Sequence, residues 1–180
     1  MKKLFYVLAV LFLTQLTGCI LFNSVTYEVN VNDDGTGTAL VTIEDMNTDA
    51  TTPEAIDADV KSVLEYGLKG QEFVADQEKD GKKITSRNLL VEKGKLNAIA
   101  RYEFSDISTV EGMQFDDPYY YLTISPEDSI ISTNGQVTKT DQYQRIVWDK
   151  SIKTLKFKMY SDDTDKEELT SLAPFYLKEN

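Results

Sequence analysis

Asn30-Val31-Asn32-Asp33-Asp34-Gly35 spells the opening of a calcium loop, with oxygen-bearing side chains at alternate positions and a glycine behind them. A hard cation takes oxygen ligands in that pattern. The twelfth position of such a loop is Val41, where a bidentate carboxylate should stand, and the flanks read as strands. Asp and Gly satisfy a tight turn without any metal, so the turn reading takes precedence. Asp76-Gln77-Glu78-Lys79-Asp80-Gly81 repeats the spelling with the same weakness. A second chemistry is offered by Asp116, Asp117 and Glu127, which border the run Tyr119, Tyr120, Tyr121. Two carboxyls suffice for glycoside hydrolysis, and aromatic rings beside acids suit a glycan cleft. A solvated acidic loop beside a half-buried strand accounts for the same residues more simply. The three tyrosines place rings on both faces of a strand, so at least one is expected at the surface as a contact for a partner. Tyrosine is also a good strand former, and the lone Trp148 reads as core.

Composition closes off most other chemistry. The chain has no histidine, which removes Ser-His-Asp and Cys-His catalysis, histidine zinc sites and histidine proton switches. Cys19 is the only cysteine, so a disulfide cannot form within the chain. Lys and Arg number 19 against 30 acids; without Lys2 and Lys3 the balance is about −13. Such a surface repels nucleic acid, whose binding needs a basic patch. Neither a metal nor a cofactor is expected.

Lys2 and Lys3 precede an unbroken apolar run of ten residues, 4–13. That length suits a secretory leader and falls short of the ~20 residues of a spanning helix. The leader ends in Leu16-Thr17-Gly18-Cys19, which resembles the bacterial lipobox. The resemblance implies cleavage before Cys19 and acylation of its thiol. Two or more acyl chains anchor a protein stably where one does not. Ile20 in place of Asp implies delivery to the outer membrane if the host has one. Residues 1–18 are then a cleaved signal peptide, 19–24 a short tether of ~16 Å at full stretch, and 25–180 a single β-rich domain.

The elements that must position these residues follow from periodicity. Residues 25–32 alternate as a half-buried strand, Asp33-Asp34-Gly35-Thr36-Gly37 turns the chain, and Ala39, Val41 and Ile43 resume the alternation. Residues 46–52 read as a polar link. Thr52 caps a helix with Pro53 in its first turn; Ile56, Val60, Val63 and Leu64 form its apolar stripe, and Gly67 is expected to end it. Residues 71–78 and 83–91 read as strands around a second Asp-Gly hairpin, followed after Gly94 by a strand with Leu96, Ala98, Ala100, Tyr102 and Phe104 on one face. Residues 105–118 read as a long loop. Strands at 119–125 and 129–133, an Asn134-Gly135 hairpin, and strands at 143–149 and 154–159 follow. Thr164 and Glu167 form a capping-box pair for a short last helix that Pro174 stops. The expected fold is α+β: a largely antiparallel sheet of about eight or nine strands with one wet face, a covering helix and a short C-terminal helix.

The Asp-Gly-Thr-Gly turn soon after the cysteine, within residues 27–43, and the later Ile146-Val147-Trp148 strand are similar to LppM-type bacterial envelope lipoproteins. That similarity implies a mixed α and β domain in contact with lipid or glycolipid, and no binding residue is carried over from it. The expected function is therefore a non-enzymatic, lipid-anchored cell-envelope lipoprotein that binds a partner protein or an amphiphile near the membrane surface. An anchored carboxylate-based glycan hydrolase and a calcium-responsive module are the alternatives.

Overall fold

The computed structural model describes residues 19–160 and 169–179. Leu16, Thr17 and Gly18 of the lipobox, and Thr164 and Glu167, lie outside the described residues. The fold is α+β, with eleven described strands paired antiparallel. The larger sheet runs β3 (Lys82–Glu92), β4 (Lys95–Phe104), β2 (Gly37–Thr48), β1 (Ile20–Val31), β10 (Thr154–Tyr160), β7 (Ile130–Thr133), with β11 (Thr170–Ser171) on the end of β2. The smaller runs β5 (Gln114–Asp116), β6 (Tyr119–Ile124), β9 (Gln144–Asp149), β8 (Gln136–Lys139). The single sheet expected from periodicity is thus two.

Alternation decides which face each side chain takes. On the open face of the larger sheet, cross-strand ion pairs join Lys156 to Glu28 at 2.9 Å, Lys158 to Glu44 at 2.6 Å and Lys83 to Glu103 at 3.0 Å. This is the wet face. Glu44 also accepts a hydrogen bond from the buried Ser24 hydroxyl at 2.7 Å. The opposite face is covered along its length by two different layers. At one end the smaller sheet lies on it, and Val29, Val31, Ala39, Tyr102, Phe104, Leu155 and Phe157 pack against Tyr120, Leu122, Ile146 and Trp148. At the other end helices cover Met46, Leu96, Ala98 and Leu89.

Several elements differ from expectation. Strand β1 begins at Ile20, not at residue 25, so 19–24 is no free tether: Ile20, Leu21 and Phe22 pair with Thr48, Asn47 and Met46. The continuous apolar run there hides the two-residue period. The same pairing takes Met46, Asn47 and Thr48 of the expected link at 46–52 into the end of β2, and 49–52 remain the link. Helix α1 (Pro53–Lys61) starts as read, with the Thr52 hydroxyl accepting from the Ala55 N–H, but the chain does not stop at Gly67. It continues as a π-helical segment, Ser62–Lys69, and ends at Gly70. Residues 71–78 form helix α2 (Gln71–Lys79) rather than a strand; Phe73 meets Tyr66 edge-on at 5.6 Å, which holds α2 against the π-helical segment. Asp80-Gly81 therefore closes a helix, not a hairpin.

Residues 105–118 lie largely at the surface, as expected of a loop, but are not without structure. Ile107, Val110 and Met113 recur every third residue through a 3-10 turn (Ile107–Thr109), and all three are buried between the sheets. The Asn134-Gly135 turn is not a hairpin either, because β7 belongs to the larger sheet and β8 to the smaller. Asn134 instead stitches the layers: its Oδ1 accepts from the Trp148 indole N–H and the Lys156 amide, both at 2.8 Å. Gly135 is required there by crowding, since a Cβ would lie 2.7 Å from the Trp148 indole nitrogen. Finally, helix α3 (Ala173–Glu179) begins where it was expected to end, with Pro174 in its first turn, where a missing N–H costs nothing.

Candidate functional site

The two covering layers do not meet perfectly. On β4 the inward-facing residues run Leu96, Ala98, Ala100, Tyr102, Phe104, and the two alanines fall where the helices give way to the smaller sheet. Their cross-strand neighbours on β2 are Ile43 and Val41. Small side chains on the floor leave a cavity of about 350 Å³. Its floor is Val41, Ile43, Ala98 and Ala100, and Val63, Leu68 and Leu89 continue its walls. The volume lies in the range of small-ligand pockets, and so does an almost wholly apolar lining.

The roof is the π-helical segment. An i→i+5 turn is wider than an α turn, and such segments occur frequently at functional sites. Gly70 ends it with its N–H on the Tyr66 carbonyl at 3.1 Å, and a Cβ there would lie 2.5 Å from that oxygen. At the mouth stand Tyr66, 41% exposed, Phe73 and Arg87. The Tyr66 hydroxyl donates to Asp76 at 3.1 Å. Arg87 reaches across from β3 and donates from Nη1 to the Gly67 and Gly70 carbonyls at 2.8 and 3.0 Å, with its guanidinium 5.5 Å over the Phe73 ring. One cation thus closes the last π turn and borders the mouth.

Ile20 belongs to the cavity wall, and Cys19 precedes it, exposed. The Cys19 N–H donates to the Asp49 carboxylate at 2.6 Å, and the Asp49 N–H donates to the Cys19 carbonyl at 3.3 Å. The cysteine is therefore held at the end of the β1–β2 pair, next to the cavity.

The other predicted residues lie elsewhere. Tyr119 is 47% exposed, Tyr120 is buried against Phe115 with ring centroids 4.7 Å apart, and Tyr121 donates its hydroxyl to Gln114 at 2.5 Å. Arg145 stacks over Tyr121 at 4.6 Å. Tyr120 thus belongs to the core, while Tyr119 and Tyr121 share the outer face of β6 and line one surface hollow with Asp116, Arg145 and Val147; Trp148 is core. Asp116 and Asp117 lie before β6 and Glu127 after it. Along a strand of that length the two ends are about 17 Å apart, beyond the ~5–10 Å of a glycosidase pair.

A larger hollow, about 750 Å³, is lined by Asp33, Asp34, Asp117 and Asp149 together with Lys150 and Lys153. Lys150 binds Asp117 at 2.5 Å and Lys153 binds Asp33, while Asp34 and Asp149 accept hydrogen bonds from Thr36 and from the Ser151 N–H. In the calcium-like stretch Asp34 accepts from the Thr36 N–H and hydroxyl, Asn32 donates its Nδ2 to the Thr36 hydroxyl, and Asn30 accepts from Thr154 across the sheet. Among the described residues no three metal-ligating side chains converge. Nor is any helix among them long and apolar enough to cross a membrane.

Those bonds carry a pH prediction. Hydrogen bonds from Lys158 and Ser24 hold the Glu44 carboxyl below its ordinary value, and bonds from Thr36, Ser108 and Ser151 do the same for Asp34, Asp106 and Asp149. The unfolded chain then binds protons at higher pH than the folded one, so this stability is full above the ordinary carboxylate range and is lost as pH falls through the lower folded values. The urea midpoint is expected to drop steadily from pH ~4 downward. A midpoint that stays level to pH 2 would contradict it.

The chain matches no family model, no curated protein and no solved structure. The apolar cavity escaped the sequence reading, although its signal was present: two consecutive inward positions of a strand filled by alanine.

Proposed function

We propose that the chain is a non-enzymatic, lipid-anchored envelope lipoprotein, acylated at Cys19, whose domain holds the apolar tail of an amphiphile beneath the π-helical segment. The observation that carries this reading is the apolar cavity of about 350 Å³ beside Ile20. Burying hydrocarbon in such a space gains roughly 25 cal/mol per Å² removed from water. An anchor at Cys19 would place the cavity wall one residue from the bilayer attachment, so a tail leaving the membrane would have little water to cross. The hydrolase reading is weaker because Glu127 sits at the far end of β6 from Asp116 and Asp117. The calcium reading is weaker because Asp34 already serves the hairpin turn.

Binding that favours the folded state raises its melting temperature, by ~2.7 kcal/mol of stability at a hundredfold excess over Kd. The full chain in digitonin, which has no alkyl tail to compete, is expected to melt at rising temperature as added alkanoates lengthen from four to twelve carbons. Coincident melts at every chain length would overturn the proposal.

A further inference from the structure

Arg87 gives the cavity a polar end. Its guanidinium carries five N–H donors; Nη1 serves the Gly67 and Gly70 carbonyls, which leaves Nε and both protons of Nη2. It forms no ion pair with a carboxylate among the described residues. Among the described residues Arg87, Lys93, Arg101, Lys139, Arg145 and Lys178 form no ion pair, and of these Arg87 alone lines the apolar cavity. The side chain is half-buried and lines the cavity, and Phe73 beneath it excludes water from one face. A forked donor fixed in place by two carbonyls, with free N–H groups beside an apolar hole, matches a planar carboxylate on the end of a hydrocarbon chain. The cavity is at the small end of ligand pockets, which suits one chain rather than two.

We infer that the occupant is a fatty acid, with its chain over Ala98 and Ala100 and its carboxylate on Arg87; this rests on the amphiphile reading above. The charge of the whole domain opposes anions at long range, so the preference must come from this one short contact. Arg87 is a ligand contact here as well as a brace for the π turn.

The test is photolabelling of the full chain in digitonin with three probes that share a twelve-carbon chain bearing a diazirine: the carboxylate, the alcohol and the trimethylammonium compound. Adducts are mapped by peptide mass. The expected result is labelling of the peptides containing Val63, Leu68 and Leu89 at least tenfold stronger with the carboxylate than with the other two. Arg87→Gln removes the preference, and Arg87→Lys, which keeps the charge without the fork, restores part of it. Equal labelling by all three probes in the unaltered chain overturns the headgroup assignment and leaves the cavity reading standing. A preference that survives in Arg87→Gln also overturns it. No labelling of those peptides by any probe, in the unaltered chain or in Cys19→Ser, overturns both. Labelling that appears only in Cys19→Ser overturns the fatty-acid assignment, because the chain's own acyl group then fills the site.

Discussion

Replacing Trp148 with alanine should cost about 3–5 kcal/mol, among the largest effects available to a single side chain. The indole is fully buried between the two sheets, 6.0 Å from the Phe157 ring, and its N–H is bound to Asn134. Removing it opens a void against Gly135, whose lack of a side chain exists to admit the ring. It also takes one donor from the Asn134 oxygen that joins β7 to β10. For a domain of this size the melting temperature should fall on the order of 10 °C or more, read by far-ultraviolet circular dichroism. Val137→Ala on the exposed strand β8 serves as the reference and should move it by no more than about 1–2 °C, the ±0.5 kcal/mol of a surface change. A loss in Trp148→Ala as small as the reference would mean that the sheets are held by something other than this contact.

Filling the cavity should separate binding from folding. Ala98→Phe places a ring over the floor between Ile43 and Leu89. Voids of this kind weaken a core, so occupying one costs little stability and can add some. The unliganded melt is expected to stay within a few degrees, while the rise given by dodecanoate disappears, corresponding to binding at least tenfold weaker. Ala98→Val, which takes up less space, should keep most of the response. If both variants respond to dodecanoate as the unaltered chain does, the tail does not lie over Ala98.

The strands that alternate cleanly were legible from sequence, as were the Thr52 cap and the Asp-Gly turn after β1. Each depends on a short-range pattern: two-residue alternation, an oxygen before a first turn, or a positive φ, which Gly35 adopts at 85°. What escaped depends on longer range. The Asn134-Gly135 pair carries ordinary hairpin chemistry, yet the chain there passes between sheets because Trp148 draws it across. Residues 71–78 hold both strand and helix patterns, and the meeting of Phe73 with Tyr66 decides for helix. Ile107, Val110 and Met113 follow a three-residue period that neither a strand nor an α-helix template detects. The carboxylates offered as a catalytic pair were neighbours along the chain and are separated by the length of β6. The cavity arises from two alanines, residues that attract no attention because what they contribute is missing volume.

The central claim is that an alkyl chain enters the space under the π-helical segment, and its most direct measurement is isotope-filtered nuclear Overhauser spectroscopy on the full chain with labelled methyl groups and dodecanoate. The account predicts cross-peaks from the acyl methylenes to the methyls of Val63, Leu68 and Leu89, and none to Val137 on the outer strand. Cross-peaks confined to exposed residues, or none at saturating ligand, would contradict it.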